Sequence, residues 1–264
     1  MPELPEVETI RRDLERRLVG ARIVSVWTSG KPLHLNRPID VAGLRAAGGR
    51  ILALRRHGKY LYIDAERGTV IIHLGMTGNL VVAARGKAPP HTHVVWRLSD
   101  RRELRYIDAR RFGRVGTVVP VDTGIDPFER GFTAARLAGL LQGSKRALKL
   151  FLLDQSKIAG IGNIYASEAM WEAKIHPDRP ADRVRGAEIA ALWRAIRAVL
   201  RRAIRNRGTT LRDYRDGDGN EGENQNRLRV YGREHRVCYR CGGEIRRTVH
   251  QGRATYFCPD CQIR

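Results

Sequence analysis

The sequence predicts an α+β chain in three parts: a strand-rich first half opened by one helix, a helical second half, and a small cysteine-built module at the end. Three observations carry this. Short apolar, β-branched runs recur between residues 21 and 119, and beyond 133 the apolar period becomes that of helices. All four cysteines lie in the last 27 residues. At 264 residues the chain has room for one large domain or two smaller ones.

The opening stretch, MPELPEVETIRRDL, has neither the basic n-region nor the apolar h-region of a signal peptide. Val7, Ile10, Leu14 and Leu18 fall on one helical face. Pro5 suits the first helical position, where a missing N–H costs nothing, and Glu6 and Glu8 suit the first turn. A helix start does not account for Pro2 or Glu3.

Strand-like runs then follow at 21–27, 50–54, 60–65, 70–74, 93–98 and 114–119. Polar or Gly-containing turns at 57–59, 66–68 and 83–90 separate them, as in an antiparallel sandwich or barrel. Residues 120–127 read as a linker. Helices are predicted over 133–141, 145–153, 164–173 and 186–206. The last sets Ile189, Leu192, Trp193, Ile196, Leu200 and Ile204 opposite its arginines. Gly160 and Gly162, just before a helix, let backbone N–H groups approach an anion, although a tight turn uses such a pair equally well. The polar stretch 213–226 reads as a mobile loop. These transitions give a first domain over 1–119, a linker over 120–131, a helical domain over 132–229 and the cysteine module over 230–264.

Lys and Arg number 49 against 28 Asp and Glu, a net charge of +21 spread along the chain. That excess favours a polyanionic partner, above all nucleic acid. An anionic membrane surface fits less well, because the basic helix near the end carries interior-type apolar residues. No apolar run reaches the roughly 18 residues of a membrane span. Cys238-x2-Cys241 and Cys258-x2-Cys261, sixteen residues apart, form two knuckles that complete one four-thiolate zinc site. Two disulfides are the alternative, disfavoured in the reducing compartment expected without a signal peptide. Four thiolates leave no open position, so the zinc is structural.

These pieces resemble, nearly end to end, the bacterial formamidopyrimidine-DNA glycosylase family. The matching stretches are PELPEVETI (2–10), HGKYL (57–61), HLGMTG (73–78), ARRFGR (109–114), GIGNIYASEAMW (160–171), VYGRE (230–234) and GRATYFCPDCQ (252–262). The resemblance implies an N-terminal β-sandwich with its opening helix, a helix–two-turn–helix domain and a zinc finger, with damaged double-stranded DNA between the halves. It also implies a monomer acting in the bacterial cytoplasm, nucleoid-associated through its substrate.

The resemblance gives Pro2 its reason: once Met1 is removed, the prolyl amine is the nucleophile that attacks C1′ of the damaged nucleoside. A terminal amine has a reference pKa near ~8 against ~10.4 for lysine, so around pH 7.5 roughly a quarter is free base. By the same resemblance Glu3 is the acid–base residue, Glu6 supports the active-site helix, and Lys59 contacts a phosphate near the lesion and aids catalysis. Met76, Arg111 and Phe112 fill the gap left by an extruded base. His73, Asn163, Tyr231 and Arg253 bind the DNA backbone, and Lys149 lies near the lesion. The implied activity is that of a bifunctional glycosylase/apurinic-apyrimidinic lyase for oxidised purines. The alternatives are an endonuclease VIII-like enzyme for oxidised pyrimidines and a non-catalytic zinc-dependent binder of damaged DNA. One departure stands out: Gly222 is followed by Glu223-Asn224-Gln225-Asn226 where the family usually carries an aromatic. A flexible polar loop there predicts weaker or altered preference for 8-oxoguanine.

Overall fold

The computed structural model describes residues 2–34, 36–118 and 123–263. Helix α1 (Leu4–Leu18) opens the chain, and Val7, Ile10, Leu14 and Leu18 are all at most 1% exposed, so the predicted stripe is the buried face. Eight strands follow: β1 (Arg22–Thr28), β2 (Gly49–His57), β3 (Tyr60–Ala65), β4 (Gly68–His73), β5 (Gly78–Ala84), β6 (Thr92–Leu98), β7 (Arg102–Asp108) and β8 (Arg114–Gly116). A short helix, α2 (Val41–Ala46), lies between β1 and β2.

The strands form one antiparallel sheet in the order β5-β7-β6-β1-β2-β3-β4-β8. β1 meets β2 only at Arg22↔Arg50 and Ile23↔Gly49, whereas β1 runs along β6 from Ile23↔Leu98 to Thr28↔Val94. The sheet is therefore two four-stranded leaves joined by a narrow seam. Both leaves and α1 share a single apolar core that includes Leu54, Leu61, Ile72, Leu80, Trp96 and Tyr106. The chain crosses from one leaf to the other at β1→β2, at β4→β5 and at β7→β8.

Sequence patterning missed α2, β5 and β7. Alternating charge in β7 imitates a solvated segment, yet Glu103 and Arg105 are both buried and pair at 2.7 Å. Arg105 also donates to the carbonyls of Ala84 and Gly86, which pins the turn after β5. The last predicted strand, 114–119, is shorter in the structure, and its final residue lies outside the described residues.

By its contacts the chain divides into a first unit of residues 1–121 and 206–225 and a second of 122–205 and 226–264. Two expectations change here. The stretch 206–225 packs with the first unit instead of the helical domain. Of the expected linker, 120–122 lies outside the described residues, while the rest is built into the second unit: Gly124 N–H donates to Gln155, Ile125 bridges Ile158, and Asp126 is buried.

The second unit holds α3 (Ala134–Leu141), α4 (Leu148–Leu153), α5 (Asn163–Glu172) and α6 (Ala187–Arg205). Leu192, Ile196 and Leu200 of the predicted α6 stripe are buried, together with Ala195, Val199 and Ala203. Trp193 instead donates its indole N–H to the Phe132 carbonyl at 2.7 Å. The hairpin of β9 (Arg246–His250) and β10 (Arg253–Phe257) ends the chain, and its module packs Cys238, Ile245 and Cys258 against Trp171 of α5. No helix among the described residues is long and apolar enough to cross a membrane.

Candidate active site and nucleic-acid interface

In the first unit the site starts at the head of α1, where Pro2 and Glu3 are both buried. Glu3 is the N-cap, and its N–H donates to Glu6 Oε2 at 2.8 Å. Glu6 Oε1 accepts the Thr209 N–H, also at 2.8 Å. One carboxylate thus fixes the start of α1 and reaches the stretch 206–225. Gly208 permits this approach: at φ +83° a Cβ would stand 3.0 Å from the Glu6 side chain. Further along α1, Glu8 accepts from Arg11, Arg12 and, at 3.1 Å, from Arg56 of β2. Burial raises the Glu8 pKa, but these arginines outweigh it and hold the carboxyl below its ordinary value.

Lys59 is buried at the tip of the β2–β3 hairpin, after Gly58. His73 ends β4 opposite Tyr60, with ring centroids 4.8 Å apart. Burial, then the charges of Lys59 and Arg114 and the nearby His34, lower its pKa to about 4, so the imidazole is neutral at physiological pH. Its Nδ1 accepts the Gly75 N–H at 3.1 Å, which places the ring proton on Nε2 as a donor.

Two of the leaf crossings, β4→β5 and β7→β8, carry Met76, Arg111 and Phe112. Met76 is 38% and Phe112 44% exposed, unlike core residues of these types. Asp108, fully buried, holds both crossings: its Oδ1 accepts from Thr77 at 2.5 Å, and its Oδ2 from Tyr106 at 3.0 Å and Gly113 N–H at 2.8 Å. Gly75, at φ +63°, lies so close to the second crossing that a Cβ would sit 2.5 Å from Gly113 N. His34 braces the same loop by donating its N–H to the Arg111 carbonyl at 2.8 Å. The Arg110 guanidinium lies 4.6 Å from the Phe112 ring centroid. A flexible thioether, an aromatic ring and a guanidinium are thereby displayed on a braced ledge.

The stretch expected to be a mobile loop is packed and hydrogen-bonded in the structure. Tyr214 sits in the first unit's core, and Asp216 and Asn224 are buried. Asn224 donates to Thr209 Oγ1 at 2.8 Å, and Gln225 Oε1 accepts the Thr210 N–H at 3.0 Å. The polar residues after Gly222 lace the loop closed.

In the second unit Asn163 opens α5. Its Nδ2 donates to the Ala254 carbonyl at 2.8 Å and approaches the Tyr231 hydroxyl at 3.4 Å. Tyr231 lies edge-on to Tyr256, and exposed Arg253 begins the same strand as Ala254. The structure thus gathers Asn163, Tyr231 and Arg253. Lys149 departs from expectation. It is fully buried, and its ammonium donates to the Asn163 carbonyl and Ser167 Oγ, both at 2.8 Å, so it supports the start of α5 from inside.

Glu168 escaped the sequence reading. Buried on α5, its carboxylate accepts the N–H groups of Arg229, Val230 and Tyr231 at 2.9–3.0 Å and so fixes the VYG turn. Burial raises its pKa, partly offset by these donors. The available signal was an acid placed mid-helix among apolar residues.

The four cysteine sulfurs lie within 4.8 Å of one another, with Cys238–Cys261 at 3.9 Å and Cys241–Cys258 at 3.5 Å. A disulfide needs about 2.05 Å. A tetrahedron with Zn–S near ~2.3 Å has edges of about 3.8 Å, so the sulfurs fit one structural zinc ion.

Comparison with known proteins agrees with this geometry. Residues 1–115 match the formamidopyrimidine-DNA glycosylase N-terminal domain, 123–215 its H2TH domain, and 237–263 the zinc finger found in FPG and IleRS. The chain belongs to the formamidopyrimidine-DNA glycosylase family. Family members from Herpetosiphon aurantiacus and a Roseiflexus species are 46% and 44% identical to it, each alignment covering 99% of this chain and 100% of the relative. Among solved structures, a Lactococcus lactis FPG variant in complex with Fapy-dG-containing DNA superposes with a TM-score of 0.89 at 33% identity, covering both chains completely. The MutM (FPG) protein of Thermus thermophilus gives 0.87 at 39% identity, over 99% of this chain and 98% of the other.

Proposed function

We propose that the chain is a bifunctional DNA glycosylase/apurinic-apyrimidinic lyase that excises oxidised purines, formamidopyrimidines and 8-oxoguanine, from duplex DNA. The observation that carries this is the head of α1, where Pro2 and Glu3 are buried and Glu6 is fixed by two backbone donors. As the N-cap of α1, Glu3 is held directly beside the Pro2 amine.

With Met1 removed, the Pro2 amine attacks C1′ of the extruded nucleoside. The glycosidic bond breaks, the base leaves as its protonated form, and nitrogen and C1′ are joined as an iminium. Glu3 protonates the sugar oxygen as the ring opens and then relays protons. Loss of a C2′ proton expels the 3′ phosphate, and a second elimination expels the 5′ phosphate, leaving a one-nucleotide gap. Met76, Arg111 and Phe112 occupy the vacated stack. Neutral His73, buried Lys59, and Asn163, Tyr231 and Arg253 serve the phosphates. The zinc ion holds the finger that carries Arg253. Such a substrate places the protein with the bacterial chromosome in the cytoplasm.

The absence of an aromatic after Gly222 still favours ring-opened purines over 8-oxoguanine, although the basis is now a missing stacking surface, worth roughly 1–3 kcal/mol per base, and not flexibility. The deciding experiment is borohydride trapping on duplexes bearing one lesion each. The expected result is a covalent adduct with formamidopyrimidine and abasic DNA, lost when the N-terminus is blocked. Full excision by an N-terminally tagged, unprocessed chain would overturn the mechanism. The kcat/KM ratio of 8-oxoguanine to formamidopyrimidine tests the preference.

A further inference from the structure

The stretch 206–225 is tied to α1 at a second place, away from the Glu6 contact. Asp13 is buried on α1, and its Oδ2 accepts from Arg207 at 2.7 Å and from the Gly217 N–H at 3.2 Å. Arg207 also donates to Asp216 Oδ2 through Nε at 2.8 Å and through a terminal nitrogen at 2.6 Å. Asp216, 1% exposed, uses Oδ1 to accept the N–H groups of Asp218 and Asn220 at 2.9 and 2.8 Å, which shapes the loop itself. Arg17 of α1 pairs with Asp218 at 2.6 Å, and Arg16 with Asp13 at 3.3 Å. The Tyr214 hydroxyl donates to the Arg207 carbonyl at 3.0 Å.

Asp13, Asp216 and Asp218 come close enough to share a single cation. The Arg207 guanidinium already bonds two of them, and Arg16 and Arg17 supply the remaining positive charge. The cluster is therefore an ion-pair clasp complete in protein groups. A planar guanidinium with several donors joins two carboxylates in a fixed geometry that a lysine cannot reproduce.

We propose that Arg207, clamped between Asp13 and Asp216, is a positioning residue for base excision: it keeps the loop in register with the helix that presents Pro2 and Glu3. The proposal rests on the glycosylase/lyase reading above. With Glu6–Thr209 at the head of α1 and Asp13–Arg207–Asp216 further along, the loop is held at two points. A slipped loop would fail to hold an extruded base against the nucleophile. It would matter little at an abasic site, where no base has to be held.

The test compares Arg207→Lys, Asp13→Asn and the double variant with the wild-type full-length chain on two duplexes, one carrying formamidopyrimidine and one a preformed abasic site. The expected result is a fall of about tenfold in kcat for formamidopyrimidine excision, KM within about twofold, and abasic-site incision within about twofold of wild type. The double variant should lose no more than Asp13→Asn alone, since both break one clasp. Thermal unfolding of each variant separates positioning from general destabilisation. Equal losses on both substrates, additive losses in the double variant, or unchanged formamidopyrimidine excision in Arg207→Lys and Asp13→Asn alike would overturn the clasp. A wild-type chain that neither incises abasic DNA nor is trapped by borohydride would instead overturn the activity on which it rests.

Discussion

The two loops beside α1 and the sheet, 108–113 and 206–225, are both organised by one buried aspartate, and they turn out oppositely. Asp108 collects hydroxyl and backbone donors and leaves Arg111 and Phe112 outside. Asp216 collects a guanidinium and backbone donors and draws Tyr214 and Asn224 inside. Both loops are polar in sequence, yet the first displays an aromatic ring and the second packs its polar side chains inward. Burial in such segments follows where hydrogen-bond partners can be found, because a buried polar group is tolerated only when paired.

The largest effect expected to break this contrast comes from Asp108→Ala. The Thr77 and Tyr106 hydroxyls and the Gly113 N–H would lose their shared acceptor, at about 1–3 kcal/mol for each group left unsatisfied. Denaturant unfolding should show a loss of about 3 kcal/mol or more, together with collapse of duplex base excision. An unchanged midpoint would mean that the crossings are held some other way.

Asn224→Ala should cost less, about 1–2 kcal/mol, because it removes one donor to Thr209 Oγ1 and one acceptor of the Asn206 amide and leaves no buried backbone group unpaired. Limited proteolysis should then cut within 210–225 before any other site. If cleavage stays as slow as in the wild type, Asn224 does not hold the loop shut.

Phe112→Ala sharpens the comparison from the other side. An exposed ring should leave stability within about 0.5 kcal/mol while excision from duplex DNA falls about tenfold. A stability loss of several kcal/mol would show that the ring is structural.

The last effect is a slope. His73 binds a proton only near pH 4 in the folded chain, against an ordinary value of 6.5. Between those values the unfolded chain holds more protons, so stability declines as pH falls from about 6.5 toward 4 and is fully present above that window. His73→Gln should flatten that part of the curve; a curve superimposable on the wild type would remove His73 as its source.

Much of this was legible beforehand because the governing patterns are local. The stripe of α1 and the cysteine knuckles need only residues a few positions apart, and Pro2, Glu3, Met76 and Phe112 stand in recognisable motifs. What escaped depends on distant partners. The Asp13–Arg207 bond joins positions 194 apart, and Glu168 meets its donors 61 to 63 residues on. Strand β7 was hidden because Glu103 and Arg105 neutralise each other inside the fold. Lys149 matches a family lysine near the lesion, and nothing around it in the sequence shows that it is buried against the Asn163 carbonyl and Ser167 Oγ.

The narrow seam between the leaves also bears on the order of assembly. β2, β3 and β4 close through successive short turns, whereas β1 must wait for β6, with Val26 opposite Trp96. Local pairings form early, and pairings between distant segments form late. Both loops that bear Met76, Arg111 and Phe112 span the two leaves, and Asp108 stitches them only when each leaf is in place. The wedge is therefore among the last features of this half to mature, and a chain stalled at the β2–β4 meander would carry the Lys59 hairpin without any means of filling a gap in DNA.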